Sequence, residues 1–503
     1  MSDMTIQHLD SVDLLVDCDR SLAKELSQFF TFEVPNYQFT PAYKNKLWDG
    51  QIRLFNLYRH TIYSGLLDYV VQFAKDRKYT VEYKQPLFEQ FKTNQGELID
   101  FVENEIKPCS KGKRISPHDH QINGLLHALN KNRCLLLSPT GSGKSLIIYL
   151  LTRFYLSKLE SDKKVLVVVP TTGLVNQMYN DFKDYSDGSW DVDKNCHVIF
   201  SGQDKTSDKR VVISTWQSIY KMPQEYFDQY SVVFGDECHL FKAKSLTSLM
   251  TKLKNCPYRI GTTGTLDGTQ THKLVIEGLF GRVYNVTTTK DLIEKDLLSN
   301  LKIDCLVLEH SEKDKEEMKR CKYNDEIKWI VENKSRNKFI SNLVSSLKGN
   351  TLLLYNYVEL HGKPLYEEIK KVVPEDDVYF IHGGTEVDQR EEIRQLISSQ
   401  DSDGKVLVAS YGTCSTGINI PNIENVIFAS PSKSVVRVLQ SIGRGLRKSE
   451  NKKITKLYDI ADDLSYKKHR NHTLNHLNER IKIYNKEKFD FNLIKIRIKG
   501  ESV

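Results

Sequence analysis

Between Ser138 and Ser145 the chain reads Ser-Pro-Thr-Gly-Ser-Gly-Lys-Ser, directly after the apolar run Leu135–Leu136–Leu137 and before Leu146–Ile147–Ile148. That order predicts a strand, a glycine-rich turn and a helix. Backbone N–H groups in such a turn can wrap a triphosphate, helped by the positive end of the helix dipole. Thr140, Gly141, Ser142 and Gly143 form the cradle, Lys144 reaches the β- and γ-phosphates, and the Ser145 hydroxyl sits on Mg²⁺. The strict pattern has glycine at the first position, where this chain has Ser138.

Two further clusters supply what phosphoryl transfer requires. Asp236–Glu237–Cys238–His239 follows the apolar run Ser231–Gly235. A carboxylate there can hold Mg²⁺ opposite Ser145, and Glu237 can orient and deprotonate an attacking water. His239 is placed to link this pair to Thr263 and Thr265. Far downstream, Gln440-Ser-Ile-Gly-Arg-Gly-Leu-Arg447 puts Arg444 and Arg447 three apart on an expected helix, hence on one face. Two guanidinium forks can clamp a γ-phosphate. Gln121, one turn inside another expected helix, offers the donor and acceptor that an adenine edge needs. Taken singly, these are a Gly-Ser turn, a surface acidic pair, a basic helix and a solvated glutamine. Their joint presence at strand ends favours a nucleotide site.

The elements that would carry these groups alternate along the chain. Val165–Val169 ends in Pro170–Thr171–Thr172, Val211–Ile213 in Ser214–Thr215–Trp216–Gln217–Ser218, and another strand in Gly261–Thr265. Later strands at 352–355, 378–380, 406–408 and 426–428 end in Asn356, His382–Gly384, Ser410–Gly417 and Ser430–Pro431. Apolar runs alternating with helices imply parallel sheets covered on both faces, with ligands at the strands' carboxyl ends. The expected fold class is therefore α/β, with two doubly wound lobes in tandem. We place a small α+β domain at 1–88, the first lobe at 89–290, the second at 291–463 and a basic helical extension at 464–503.

In the N-terminal stretch Phe32–Asn56, Phe32, Tyr37, Phe39, Tyr43 and Trp48 interleave with Lys44, Lys46 and Arg53. We read the aromatics as core, the three cations as phosphate contacts, and Trp48–Gln51 as a hairpin turn. Ser21 is the expected cap of a helix to Phe30, and Ser116 of a helix carrying Gln121.

Bulk properties are those of an ordinary multidomain protein. The 503 residues suffice for several cores, and the net charge of +7 suits a polyanionic partner. Nine cysteines carry neither a Cys-x-x-Cys pair nor a Cys/His cluster, which points away from zinc and disulfide frameworks. With no apolar run long enough for a signal peptide or membrane span, an intracellular, cytoplasmic protein is expected.

In their order, these signatures resemble the motifs of superfamily 2 helicases over roughly residues 105–465. Gln121 resembles the adenine-reading motif, Ser138–Ser145 motif I, Pro170–Thr172 motif Ia, Asp236–His239 a DECH form of motif II, and Thr263–Thr265 motif III. Ser410–Pro421 resembles motif V and Gln440–Arg447 motif VI. The Gln440–Arg447 form and the segment Ile260–Leu266 resemble repair-type DNA helicases more than DEAD-box RNA helicases. With Phe32–Asn56 and the length, the whole chain resembles the phage recombination and repair helicases. Two departures stand out: Gly264 where motif III usually has Ala, and Asn419 where motif V usually has Asp. The resemblance implies RecA-like lobes with ATP and Mg²⁺ held between them, Gly417 and Asn419 at the nucleotide, and Gln440 in coupling. It implies a nucleic-acid path past Pro170, Thr171, Thr215, Gln217, His382 and Thr416, reading phosphates rather than bases. It also implies work on branched DNA (forks, Holliday junctions, RNA–DNA loops) in recombination, repair and replication, in the host cytoplasm if the chain is viral. The alternatives are an RNA helicase of the same superfamily, a duplex translocase that never separates strands, and a DNA-annealing or architectural module with a vestigial ATP site.

Overall fold

The computed structural model describes residues 2–498 except Asn36, 85–90, Lys92, 242–243, 267–268, 400–401, 416–421, 432–433, 435–437, Gln440, 444–445 and 447–453. The chain forms two units, one of residues 1–138 and 142–287, the other of residues 288–503 together with 139–141 of the glycine-rich turn.

The first unit begins with strands β1 (Met4–His8), β2 (Asp13–Cys18), β3 (Thr31–Glu33), β4 (Gln51–Arg53), β5 (Phe55–Asn56), β6 (Thr61–Tyr63) and β7 (Val81–Tyr83). Five of them make a sheet in the order β5-β6-β2-β1-β7, with only β1 and β7 parallel. Alternation along β2 buries Leu14 and Val16 against Leu26, Phe30 and Phe73, which lie on or beside the helices Arg20–Phe29 and Leu67–Asp76. The first of these helices is capped by Asp19, not Ser21: one carboxylate oxygen accepts from both Ser21 N–H and Leu22 N–H at 2.7 and 2.8 Å. β3 and β4 do pair antiparallel, but residues 34–50 join them, so Trp48–Gln51 is not a tight hairpin turn.

This domain has its own core and packs on the lobe after it. Leu274 and Val275 of the helix Gln270–Phe280 lie in the same core as Ile6 and Phe73. Gly65 approaches that helix so closely that a Cβ would stand 2.0 Å from the Glu277 carbonyl. Tyr69 donates to buried Glu277 at 2.7 Å, and the Arg133 guanidinium to the Ser11 carbonyl at 2.7 Å. Residues 1–88 and the first lobe, expected as two domains, therefore form one unit.

After the hairpin β8 (Cys109–Ser110) and β9 (Lys113–Arg114) come β10 (Arg133–Leu137), β11 (Lys164–Val169), β12 (Cys196–Ile199), β13 (Val211–Thr215), β14 (Tyr230–Gly235), β15 (Tyr258–Thr263) and β16 (Val283–Asn285). All pair in parallel, in the order β12-β13-β11-β14-β15-β10-β16. Neighbouring residues of one strand serve opposite faces. Leu136, Val165 and Val167 pack with the helices Lys144–Lys158 and Thr172–Ser186, while Leu135, Leu166 and Val168 face Leu249, Leu279 and Phe280. Burial on both faces is why these strands read as continuous apolar runs.

The second unit repeats the plan with β17 (Asn300–Glu309), β18 (Thr351–Tyr355), β19 (Val378–Ile381), β20 (Val406–Ser410), β21 (Asn425–Phe428), β22 (Ile454–Asp463) and β23 (Phe491–Arg497). The order is β19-β20-β18-β21-β22-β17-β23, again all parallel. The tail carries its expected helix, His472–Lys486, and adds β23, which pairs with β17 from Ile303↔Phe491 to Glu309↔Arg497. That helix is locked to the sheet. Arg480 bridges both oxygens of buried Asp459 at 2.8 and 2.7 Å, and Tyr484 donates to one of them at 2.7 Å. The described part of the tail, residues 464–498, thus adds a helix and a seventh strand to this lobe.

Candidate active site

β10 ends beneath the glycine-rich turn, whose glycines adopt positive φ, 86° at Gly141 and 82° at Gly143. Gly143 caps the helix that starts at Lys144, aiming that helix's first N–H groups into the turn. Ser138, where the strict pattern has glycine, braces the turn from inside, its buried hydroxyl donating to Ser142 Oγ at 2.6 Å. The Lys144 ammonium lies 3.2 Å from the Ser138 carbonyl. The helix Asp119–Lys131 starts later than Ser116, at a cap on His118 that Gln121 closes with its side chain. Gln121 Oε1 accepts from His118 N–H at 2.9 Å, and its amide nitrogen donates to the Ser142 carbonyl at 2.9 Å. His120 Nε2 lies 3.1 Å from the same carbonyl. Both side chains therefore hold the turn in place.

Asp236 stands at the end of β14, two strands from β10, and is almost fully buried. Its Oδ1 accepts from the Thr262 hydroxyl at 2.8 Å and from Glu237 N–H at 2.9 Å, leaving Oδ2 as the oxygen to meet a cation. Burial and the adjoining Glu237 carboxylate push its pKa up, and the Lys144 charge pulls against them. A buried acid that is costly to ionise, in company with hydroxyl oxygens, suits a hard divalent cation such as Mg²⁺. Ser145, the other expected ligand, shares a hydrogen bond of 2.9 Å with Tyr185.

Glu237 takes a left-handed conformation, φ 51°, which turns its side chain away from the course of β14. His239 Nδ1 lies 3.3 Å from Glu237 Oε2 and 3.1 Å from Thr263 Oγ1. Because Thr263 gives its own proton to the Thr265 carbonyl at 2.9 Å, the shared proton belongs to the histidine. His239 therefore stands between Glu237 and Thr263, and Thr263 leads on to Thr265.

At the neighbouring strand ends, Gln217 donates to the Pro170 carbonyl at 3.1 Å, Thr171 caps the helix Thr172–Ser186, and Thr215 shares a hydrogen bond of 2.9 Å with Ser218. Pro170, Thr171, Thr215 and Gln217 are thus brought together where β11 and β13 lie side by side. In the second unit, His382 follows β19 and accepts from Gly384 N–H at 3.0 Å. Arg53 forms an ion pair of 2.5 Å with Asp49, so of the three N-terminal cations only Lys44 and Lys46 have no acid partner among the described residues. Thr416, Gly417, Asn419, Gln440, Arg444 and Arg447 lie outside the described residues.

Three residues join the site without belonging to any motif of the sequence: Thr262, Tyr185 and His120. Thr262 alone carries a visible signal, being the residue before Thr263 at the end of a buried strand. The other two are joined to the turn only by folding.

Two α/β lobes, a phosphate-binding turn on the first strand and an acid pair on the fifth define the class of nucleic-acid-dependent motor ATPases with tandem RecA-like lobes. Residues 3–84 match the family described as DNA helicase UvsW, N-terminal; 88–268 match type III restriction enzyme, res subunit; and 335–449 match helicase conserved C-terminal domain. The chain is 33% identical to the ATP-dependent DNA helicase uvsW of Enterobacteria phage T4, over 97% of this chain and 98% of that one. The crystal structure of T4 UvsW aligns with a TM-score of 0.53 at 31% identity, covering 99% of this chain and 100% of the other. The DNA-bound type ISP restriction-modification enzyme LlaBIII shares the fold at 16% identity and a TM-score of 0.57, over 77% of this chain and 32% of that one. The chain belongs to the UvsW family of helicases. Among the described residues no helix is long and apolar enough to cross a membrane.

Proposed function

We propose that this chain, an ATP-dependent DNA helicase by family, remodels branched DNA (forks, Holliday junctions and RNA–DNA loops) in recombination, repair and replication. The observation that carries the reading is the UvsW-type N-terminal domain fused into one unit with the lobe that carries Lys144 and the acid pair Asp236–Glu237. A substrate-reading module rigidly joined to the motor suits a substrate defined by shape.

The turn 140–143 and Lys144 hold the ATP phosphates, and Gln121, expected to read the adenine edge, instead braces the turn, its amide being engaged by His118 and Ser142. Ser145 and Asp236 would hold Mg²⁺, which when bound neutralises charge on the β- and γ-phosphate oxygens. Glu237 orients the attacking water and accepts its proton as the water oxygen bonds to the γ-phosphorus. The bond to the β–γ bridging oxygen breaks, giving ADP and phosphate. Arg444 and Arg447 take up charge on the transferred group, with Gly417 and Asn419 near the nucleotide and Gln440 in coupling. His239, Thr263 and Thr265 carry the change at Glu237 toward the strand ends. Pro170, Thr171, Thr215, Gln217, His382 and Thr416 follow the phosphate backbone, so sequence specificity is low.

The test is ATP hydrolysis by wild type and Lys144→Ala with no polymer, single-stranded DNA, forked DNA and matched RNA. Strongest stimulation by forked DNA, lost in the variant, is expected. Stimulation by RNA alone would transfer the chain to RNA substrates, and hydrolysis with no polymer dependence would remove the motor.

A further inference from the structure

The connection between β3 and β4 is the least expected part of the N-terminal domain. Aromatics in such a stretch are expected as core, yet Phe39 is 69% and Leu47 81% exposed, and Tyr43 is also on the surface. Phe32 alone of that set packs partly against the domain core. The segment is nevertheless well built. Thr40 caps the turn Pro41–Lys44, the Lys46 and Leu47 amides bond back to the Tyr43 and Ala42 carbonyls at 2.9 Å, and the Tyr37 ring meets Tyr43 edge-on. Gly50 seats that ring, since a Cβ there would stand 2.2 Å from it, and the Trp48 indole donates to the Gln51 carbonyl at 2.8 Å. None of these contacts uses the side chain of Phe39 or Leu47. The fold holds two large apolar groups outward on an ordered turn.

Their surroundings fix what covers them. Lys44 and Lys46, between the two, are exposed. Residues 37–60 carry Lys44, Lys46, Arg53 and Arg59 against the single acid Asp49. An apolar tip ringed by cations complements a face of stacked bases bordered by phosphates, and such a face is open where a duplex ends at a branch. Apolar side chains inserted at a base step unstack it, and an aromatic ring stacks on whichever base is presented.

We propose that Phe39 and Leu47 form a wedge that stacks on the last base pair of a duplex at the branch point, with Lys44 and Lys46 on the flanking phosphates. The proposal deepens the branched-DNA reading and rests on it. The domain is fused to the first lobe through Leu274, Val275 and Glu277, so the wedge and the acid pair Asp236–Glu237 belong to one unit.

The experiment uses the full chain, without nucleotide, on a fork carrying 2-aminopurine at the terminal pair of its duplex arm, with a linear duplex of the same sequence as control. Wild type is expected to raise the fluorescence on the fork and to prefer fork over linear duplex. Phe39→Ser/Leu47→Ser is expected to lose the rise and to lower the fork-to-linear affinity ratio about tenfold, while Phe39→Tyr retains both. Lys44→Ala/Lys46→Ala should weaken both DNAs alike and reduce the salt slope of binding by about 1.8. A full fluorescence rise with the Ser/Ser double variant at saturation would overturn the wedge while leaving the branched-DNA reading intact. Equal binding of fork and linear duplex by wild type would overturn both.

Discussion

Counting β10–β16 and β17–β23 each from one to seven, both lobes have the strand order 3-4-2-5-6-1-7. They differ in what they place at the ends of these strands. In the first lobe, strand one opens into the glycine-rich turn, and the acid after strand five is held by two neutral donors, Thr262 and the Glu237 amide. In the second lobe the corresponding region is sealed. Asp462, at the end of strand six, accepts from Arg336 at 2.9 and 3.0 Å and lies 2.9 Å from His310, the residue after strand one. The same guanidinium donates to the Ala429 carbonyl at 2.7 Å and lies 3.4 Å from His361, which in turn meets Ser430 at 2.8 Å. Asp462 and Arg336 are wholly buried.

The electrostatics follow from this difference. Burial and Glu237 raise the pKa of Asp236, with Lys144 only partly offsetting them. Burial would raise Asp462 too, but Arg336 and His310 overcome it and hold the carboxyl below its usual range. In one lobe the acid is held by neutral donors alone. The other supplies the cation itself and becomes scaffold.

Breaking the first lobe's arrangement should have the largest effect. Lys144→Ala is expected to lower the rate of DNA-stimulated ATP hydrolysis by about 10³-fold with no change in melting of the second unit, measured by steady-state kinetics and calorimetry. The acids should then respond with opposite signs. Asp462→Asn removes the partner of a buried guanidinium and should destabilise the second unit by about 3–5 kcal/mol. Asp236→Asn relieves a disfavoured charge and should stabilise the first unit by about 1–2 kcal/mol while abolishing hydrolysis. Unit-resolved hydrogen exchange distinguishes these, and equal signs would end the contrast.

The pH dependence should part in the same way. The lowered pKa of Asp462 makes its contribution present above the unfolded value of about 3.9 and lost as pH falls through the folded value. The raised pKa of Asp236 favours the fold while it is protonated, and that contribution is lost as pH rises through the folded value. Acid titration followed by exchange should therefore open the second unit before the first. The smallest effect belongs to Thr262→Val. Loss of one hydrogen bond to a charged oxygen should lower kcat about tenfold with little change in KM, because Asp236 remains but is less well aimed.

How much of the molecule is legible in the sequence depends on the range of the interaction. The turn 138–145 and the pair Asp236–Glu237 are local patterns in which chemistry and backbone geometry coincide, and the structure puts both at strand ends. β17 escapes such a reading because Leu301–Glu309 mixes charges into an alternation that a parallel strand need not show. β23 hides in the helical tail for the same reason, its partner being nearly two hundred residues upstream. The exposure of Phe39 and Leu47 is equally hidden, because composition alone ranks aromatic and aliphatic side chains as core. The sealed cluster of the second lobe joins His310, Arg336, His361, Ser430 and Asp462 from five separate segments, and no spacing rule links them.

The pairing of β17 has a consequence for synthesis. Both its neighbours, β22 and β23, are encoded from Ile454 onward, so the strand that begins the second lobe is made well before either. At about 5–20 residues per second, it waits on the order of ten seconds or more with both edges open. β10 waits a shorter time for β15 and β16, beginning at Tyr258 and Val283. On the ribosome the first lobe can close its sheet sooner, while Ile303, Cys305 and Val307 of the second stay uncovered until its last strands arrive.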